Sequence, residues 1–416
     1  MSFQQGLSGL NGAAKNLDVI GNNIANVSTA GFKQARTEFA DVYANSLYGS
    51  GGAQVGIGTQ VVNVSQSFTQ GNITSTNNPL DVAVNGDGFF RVSDGGAIAY
   101  TRNGQFHLDK DGYLVTNTGG NITGYTTLTL DANNNVTGAA DLGNIQIDLN
   151  DLEPQATSKI SMVLSLDASA TPPTTTPFDP DVAATYNFTT STTIYDSLGA
   201  SHTMQMYYVR DSTNPLEWQA YAYLDGTTDQ IDLDGAGTND YHTLTFTASG
   251  QLASGATISG VSHAITPAAN LSLNYDFTGV TQFAGDSGLI SVSQDGYARG
   301  RVVGVSIDNT GVIFGRYTNG LTRPLQQLVL ASFRNPNALV SLGNNQWASN
   351  SETGTEVLNV PGKGVAGVVQ SGATEDANVD LTAELVNLIV AQRLYQANAQ
   401  TIRAQDQILQ TLVNLR

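Results

Sequence analysis

Residues 3–31 read FQQGLSGLNGAAKNLDVIGNNIANVSTAG, and residues 381–415 read LTAELVNLIVAQRLYQANAQTIRAQDQILQTLVNL. In the first, Phe3, Leu7, Leu10, Ala14, Leu17, Gly21 and Ile24 follow one another by alternating steps of four and three, with Val27 one step further. That spacing predicts an amphipathic helix over residues 3–26, about 36 Å long at 1.5 Å per residue. Ser28-Thr29-Ala30-Gly31 ends it, with Gly31 free to take a positive φ. The second stretch repeats the alternation through Leu381, Leu385, Leu388, Gln392, Tyr395, Ala399, Ile402, Asp406, Leu409 and Val413. It holds neither Gly nor Pro, Asp380 is placed to cap it, and Glu384 lies near its positive end. Its length would be about 50 Å. The simpler reading is two helices packed on their own domain. The preferred one is a pair of ends that join each other and other copies of the chain, because a heptad-spaced seam asks for a partner helix. The expected assembly seam is Phe3, Leu7, Leu10, Leu17, Ile24, Leu381, Leu385, Leu388, Tyr395, Ile402, Leu409 and Val413. In a monomer these ends are expected to be largely disordered, for want of a groove on the body.

Between residues 60 and 365 the chain is β-like. Val82-Ala83-Val84 leads through Asn85-Gly86 and Asp87-Gly88 to Phe89-Phe90-Arg91-Val92. Phe106-His107-Leu108, Asp109-Lys110-Asp111-Gly112 and Tyr113-Leu114-Val115 repeat the style, as do Arg301 to Ile307, Asp308-Asn309-Thr310-Gly311 and Val312-Ile313-Phe314. Asn-Gly, Asp-Gly and Thr-Gly supply the positive φ of tight hairpins.

Charge divides the chain further. Only 12% of the 416 residues are charged, and the net charge is -18. Residues 146–288 hold 16 acids against Lys159 and Arg210, whereas residues 1–145 sum to -4 and residues 289–416 to zero. The expected fold is therefore mainly β with α-helical termini, discontinuous and nested. Residues 1–30 and 371–416 form a coiled-coil-like inner helical domain, and 31–70 with 362–370 are linkers. Residues 71–145 and 289–361 make one discontinuous β-rich middle domain, and 146–288 an inserted β-rich outer domain. Thr171-Pro172-Pro173-Thr174-Thr175-Thr176-Pro177 reads as a low-complexity loop that does not pack.

Composition excludes several functions. The acidic balance disfavours a nucleic-acid or anionic-membrane partner, and no apolar run is long enough to span a bilayer. With no cysteine there is no disulfide, thiol nucleophile or cysteine metal site. Met1-Ser2-Phe3-Gln4-Gln5 has neither the basic nor the apolar region of a standard signal peptide. His107, His202, His242 and His263 are too far apart for a zinc motif. Asp229, Asp232, Asp234 and Asp240 suggest calcium, but with Gly235 in sixth place the loop would start at Gln230 and end at Tyr241, where a glutamate is needed. Neither Val55-Gly56-Ile57-Gly58 nor Gly362-Lys363-Gly364 completes a phosphate-binding loop, and no G-x-S-x-G occurs. No catalytic, cofactor-binding or metal residue is assigned, and no cofactor is expected. A competing reading, a glycan-binding β-module, would use Trp218, Tyr221 and Tyr223. Their alternation reads more simply as a strand with one covered face.

The ends also carry a family likeness. Residues 6–36, GLSGLNGAAKNLDVIGNNIANVSTAGFKQAR, and 371–416, which open SGATEDANVDLTAELVNLIVAQRLYQANAQ, resemble the terminal signatures of the bacterial flagellar rod and hook axial proteins. Residues 71–92, 101–115 (TRNGQFHLDKDGYLV) and 295–347 agree with them. The large insert at 146–288 favours the hook branch over the distal rod. Thr374-Glu375-Asp376-Ala377 is a small departure, since a bulkier apolar residue is usual after such an alanine. The resemblance implies a non-enzymatic structural subunit that stacks as a homo-oligomer into a curved, flexible, hollow tube, a universal joint carrying motor torque to the filament. It also implies terminal helices lining the channel, the inserted domain facing outward, and an extracellular location reached through the flagellar type III export apparatus. Implied partners are the distal rod protein, the hook cap and the hook–filament junction proteins. Low charge outside the insert suits contacts that slide without breaking fixed ion pairs.

Overall fold

The computed structural model describes residues 2–42, 56–131, 135–148, 150–234 and 241–414, without the side chains of Ser2 and of residues 412–414. Both helices form where the heptad spacing places them: α1 is Ser2–Ala25 and α2 is Leu381–Asn414. Gly31 takes a φ of 71°, and Asp380 caps α2 by accepting from Thr382 N at 2.8 Å and Ala383 N at 3.1 Å. Among the described residues, everything between is strand, turn, irregular segment or short 3-10 helix. The chain divides into two compact units: residues 1–149, 304–316 and 322–416, and residues 150–303 with 317–321.

In the first unit, strands from both flanks of the insert share one sheet. Strand Phe89–Asp94 pairs antiparallel with Ala97–Thr101, and Trp347 of strand Gln346–Ala348 lies opposite Tyr100. Leu330 pairs with Phe90, and Gln327 with Tyr125 of the long strand Asn121–Leu130. Hydrophobic alternation and aromatic bulk drive the closure: Phe89, Phe90, Val92, Leu114, Ile122, Leu328 and Trp347 are all buried. Phe68, Phe89, Tyr100, Phe333 and Trp347 form an edge-to-face cluster with centroid spacings of 4.7–6.1 Å.

Residues 31–70, read from sequence as a linker, instead contain an antiparallel pair, β1 (Ala35–Val42) and β2 (Gly58–Gln66). The alternation there is weak because no strand face is fully buried and apolar residues fall on the open side too, with Phe39, Val62 and Val64 exposed. The same holds for 362–370, where strand Val368–Ser371 pairs with β4 (Val82–Asn85). A shorter pair joins β3 (Ile73–Ser75) to strand Ala373–Glu375.

The second unit is built from two sheets sharing a core. Strand Lys159–Asp167 sends Ile160, Met162, Leu164 and Leu166 inward, where they meet Met204, Met206, Tyr208, Trp218 and Leu244 of the other sheet. Tyr208 Oη donates to Met162 Sδ at 3.7 Å, and Tyr275 Oη to Met204 Sδ at 3.4 Å. Strand Gly288–Gln294 pairs with Lys159–Asp167, and the bridges Gln155–Tyr297 and Leu152–Gly300 lie beyond it, so the unit continues past residue 288. Trp218 is fully buried, which removes it from any glycan platform. The Pro/Thr loop also departs from expectation, because Thr171 O accepts from Asn187 Nδ2 at 2.8 Å and Phe178 stacks on Tyr221 at 4.1 Å. An aromatic at the loop's end anchors a segment whose composition alone gives it no reason to pack.

His202 lies between two carboxylates of this unit. Its Nδ1 is 2.5 Å from Asp225 Oδ2, and its Nε2 is 3.4 Å from Asp196 Oδ2. Burial lowers the imidazole pKa, but the bonds to Asp225 and Asp196 outweigh it and the net shift is upward. Burial raises both carboxyls, yet hydrogen bonds from Ala200 N, His202 and Leu198 N bring Asp196 down, and those from His202 and Thr203 N do the same for Asp225. A raised histidine stabilises the fold below its ordinary value of 6.5, and that contribution is lost as pH rises through the raised value. The lowered carboxylates stabilise above 3.8, and their contribution is lost on acidification. The second unit should therefore lose stability as pH rises from 6.5 through the raised value of His202, and His202→Gln should flatten that limb. Thermal unfolding followed by Trp218 fluorescence in a Trp347→Phe background reads this out.

Candidate assembly interface

The two chain ends meet in the first unit. Glycines at positions 6 and 9 bring α1 close to α2: a Cβ on Gly6 would lie 3.1 Å from Ile402 Cγ1, and one on Gly9 2.8 Å from Asn398 Nδ2. The buried residues of α1 are Gly6, Gly12, Ala13, Val19, Ile20 and Asn23. Heptad-spaced Gly6, Ala13 and Ile20 thus turn inward, one step off the apolar stripe read from sequence. The stripe itself is less covered, with Phe3 and Leu7 exposed and Leu10, Leu17 and Ile24 half-buried. The small residues decide this, because they permit close backbone approach while larger side chains are left for the open side.

On α2, Glu384 and Ala391 are buried, and Leu388 and Ile402 are half-buried. Leu381, Leu385, Tyr395 and Leu409 are exposed, and the side chain of Val413 lies outside the described residues. Five more large apolar residues of α2 are open: Val386, Ile389, Val390, Leu394 and Ile408. A single-stripe template passes over them, although the run Leu385-Val386-Asn387-Leu388-Ile389-Val390 is apolar around most of the helix. The expectation of ends without a local groove fails for α1, which rests on β1 and β2. Gln5 Nε2 donates to Gly56 O at 2.5 Å, Thr59 N donates to Ser8 Oγ at 3.3 Å, and a Cβ on Gly12 would meet Phe39 Cε1 at 3.1 Å.

Below the helices lies a buried polar network that sequence reasoning missed. Lys33 Nζ is 2.7 Å from Glu375 Oε1, and Arg102 Nη1 is 3.3 Å from Glu375 Oε2. The three side chains are 0%, 3% and 0% exposed in the order Lys33, Arg102, Glu375. Lys33 also donates to Thr69 O at 2.7 Å, Arg102 to Gly86 O at 2.9 Å, and Gly71 N to Glu375 Oε1 at 2.9 Å. Burial pushes both cations below their ordinary values, against the upward pull of Glu375. Removing one partner of such a buried pair typically costs about 3–5 kcal/mol. A neighbouring layer joins Asn23, which donates to Ala35 O at 2.7 Å, to Gln34, whose side chain donates to Glu384. Asn378 Oδ1 accepts from Gln34 N at 2.7 Å, and Asn378 Nδ2 donates to Ser67 O at 2.8 Å. The one visible signal was a lysine in the apolar context Gly31-Phe32-Lys33; its partner is 342 positions away and follows from no pattern.

Among the described residues no three His, Cys, Asp or Glu side chains are grouped to hold a metal, and no helix is long and apolar enough to cross a membrane. Asp240 of the acidic stretch lies outside the described residues.

Known proteins match along the whole chain. Residues 3–33 match the flagella basal body rod protein family, and 83–158 the D1 domain of the flagellar hook protein FlgE/F/G family. Residues 165–297 match the flagellar basal body protein FlaE D2 domain, and 370–415 the C-terminal region of the flagellar basal body rod FlgEFG proteins. The flagellar hook protein FlgE of Escherichia coli strain K12 is 41% identical over 423 residues, covering all of both chains. The chain belongs to the flagellar hook protein family. The hook protein of Borreliella burgdorferi is 33% identical across the full chain and 99% of its own length. The solved Helicobacter pylori hook protein FlgE2 aligns with 71% of this chain and 99% of its own at a TM-score of 0.52; at 14% identity that likeness concerns the fold alone. As a hook-family member the chain is a structural, non-catalytic subunit of a homo-oligomeric, extracellular flagellar assembly.

Gly31 sits where α1 hands over to this network. Alanine there would hold an unfavourable positive φ, costing roughly 1–2 kcal/mol, and its Cβ would fall 2.5 Å from Asn103 N. Gly31→Ala should therefore undock α1, seen as faster proteolysis within residues 1–30 while residues 89–130 stay resistant.

Proposed function

We propose that the open apolar face of α2, together with Phe3 and Leu7 of α1, is buried between copies of the chain when they stack into a curved hollow tube. The tube works as a universal joint, passing motor torque to the filament. The observation that carries this reading is the open apolar surface of Leu381, Leu385, Val386, Ile389, Val390, Leu394, Ile408 and Leu409, spread around most of a helix whose remaining side is engaged by α1. An apolar face that long is stable in water only when a partner covers it. Leu10, Leu17, Ile24, Leu388, Tyr395, Ile402 and Val413 belong to the same proposed seam. The distal rod protein, the hook cap, the hook–filament junction proteins and the type III export apparatus are the further partners that the family likeness supports.

Burial of one leucine contributes roughly 1.5–3 kcal/mol, and in a polymer its loss recurs at every subunit. Leu385→Asp should abolish tubes seen by electron microscopy, yet leave the melting of the monomer unchanged, since the side chain is already exposed. A monomer destabilised by several degrees would make Leu385 an internal support and sink the reading.

The acid-rich second unit tunes curvature through polar contacts between copies, and is not needed for stacking. Gln155 and Tyr297 exchange two hydrogen bonds of 3.0 Å, so the chain is closable there. Replacing residues 156–296 by a short Gly/Ser bridge should give tubes that are straighter and whose curvature no longer responds to salt. Electron micrographs at two ionic strengths decide it; the absence of tubes would refute the modular reading.

A further inference from the structure

The first unit carries a cleft of about 410 Å³ whose apolar walls are Phe68, Phe89, Phe333, Val357 and Val365. Val357 and Val365 are exposed. Its polar groups have bonds to spare. Arg102 and Ser332 also line it, both buried, and neither Arg102 Nε nor Ser332 Oγ has a hydrogen-bond partner among the described residues. Arg334 lines it too, exposed and with no ion pair or hydrogen bond among the described residues. Asp87 is the one carboxylate of the lining, and its field falls on Arg102. Such a cleft suits a large apolar group that brings an anion to Arg334.

Strand β1 carries that chemistry. Phe39 is 46% exposed, and Asp41, two positions on, falls on the same face of the strand. Asp41 is exposed as well and has no ion pair or hydrogen bond among the described residues. The other exposed phenylalanines fit less well. Phe3 has no acid near it before Asp18, and Phe283 has Asp286 three positions on, beyond the end of its strand. A chain cannot fill the cleft with its own Phe39. Glu38 lines an adjoining cleft that shares Phe68 and Asp87 with the first. Phe39 turns to the other side of β1, where a Cβ on Gly12 of α1 would meet its ring at 3.1 Å.

We propose that the cleft receives the Phe39 ring of a second copy, and that Asp41 of this second copy pairs with Arg334. The ring is the apolar anchor and the charge pair fixes its register. Cleft and ring lie on opposite sides of β1, so the contact runs head to tail. Each docked copy still offers a cleft to the next, which builds an open polymer and not a closed pair. The inference rests on copies of the chain associating, not on the shape of the tube.

Charge reversal in the full chain tests the pairing. Arg334→Asp and Asp41→Arg should each raise the concentration needed for assembly at least about tenfold, read by sedimentation. Combining them should recover most of the loss. Melting of the monomer should not move, because both side chains are exposed. The chain has no cysteine, so a disulfide test is free of background. Copies with Asp41→Cys, assembled with copies carrying Arg334→Cys, should give linked dimers on air oxidation. A chain carrying both changes should give a ladder of multimers, and Asp111→Cys in place of Asp41→Cys should give none. Additive losses in the charge-reversed double variant, assemblies without the ladder, or a link closed within one chain would overturn the docking. Should the cysteine variants not assemble, the charge-reversed pair decides: recovery supports the docking and its absence overturns it. The tube reading is judged apart, since a ladder in assemblies that are not tubes supports the docking alone, and tubes without a ladder overturn it alone.

Discussion

Glu375 places one carboxylate where four parts of the chain must come together: the turn after α1, the residues before β3, the residue following strand Ala97–Thr101 and the approach to α2. Full burial removes the water that would otherwise satisfy these groups, so the geometry has to be right for all partners at once. Around it, Asn23, Gln34, Asn378 and Glu384 continue the polar layer toward the helices. In a chain with only 52 charged residues, placing three of them in the interior commits a notable part of its charge to holding its ends.

That anchoring explains how the helices are free to leave so much apolar surface open. Small residues on the inner side of α1 bring it near α2, and β1–β2 supports it from another side. These contacts use Val19, Ile20, Phe39 and Ile402 but leave most large side chains of α2 exposed and available for burial between copies. A polymer subunit needs this division: enough internal cohesion to present a defined surface, and a surface apolar enough to drive association.

The second unit follows another rule. Its core is an ordinary two-sheet interior of alternating apolar residues, and several of its acids lie at strand ends and turns where they accept from backbone amides, as Asp167, Asp196, Asp211 and Asp276 do. Charge there organises loops and keeps the surface hydrated, and contacts between such surfaces are polar and salt-sensitive.

The amino-acid sequence by itself determined the two helices, the β character between them and the acidic insert, because periodicity, turn residues and composition are local properties. Asp380 and Gly31 were legible as cap and stop for the same reason. Only the tertiary structure decided which side of each helix turns inward. Apolar spacing finds a stripe, but Gly6, Gly9 and Ala13 win the inner position by size, a property of two surfaces meeting. It also decided that residues 31–70 pair as strands on α1 and that Phe178 pins the Pro/Thr loop. The Lys33–Glu375–Arg102 cluster lay beyond sequence reading altogether: a buried ion pair is defined by distance in space, and nothing local marks one carboxylate of 35 as the one that two distant cations require.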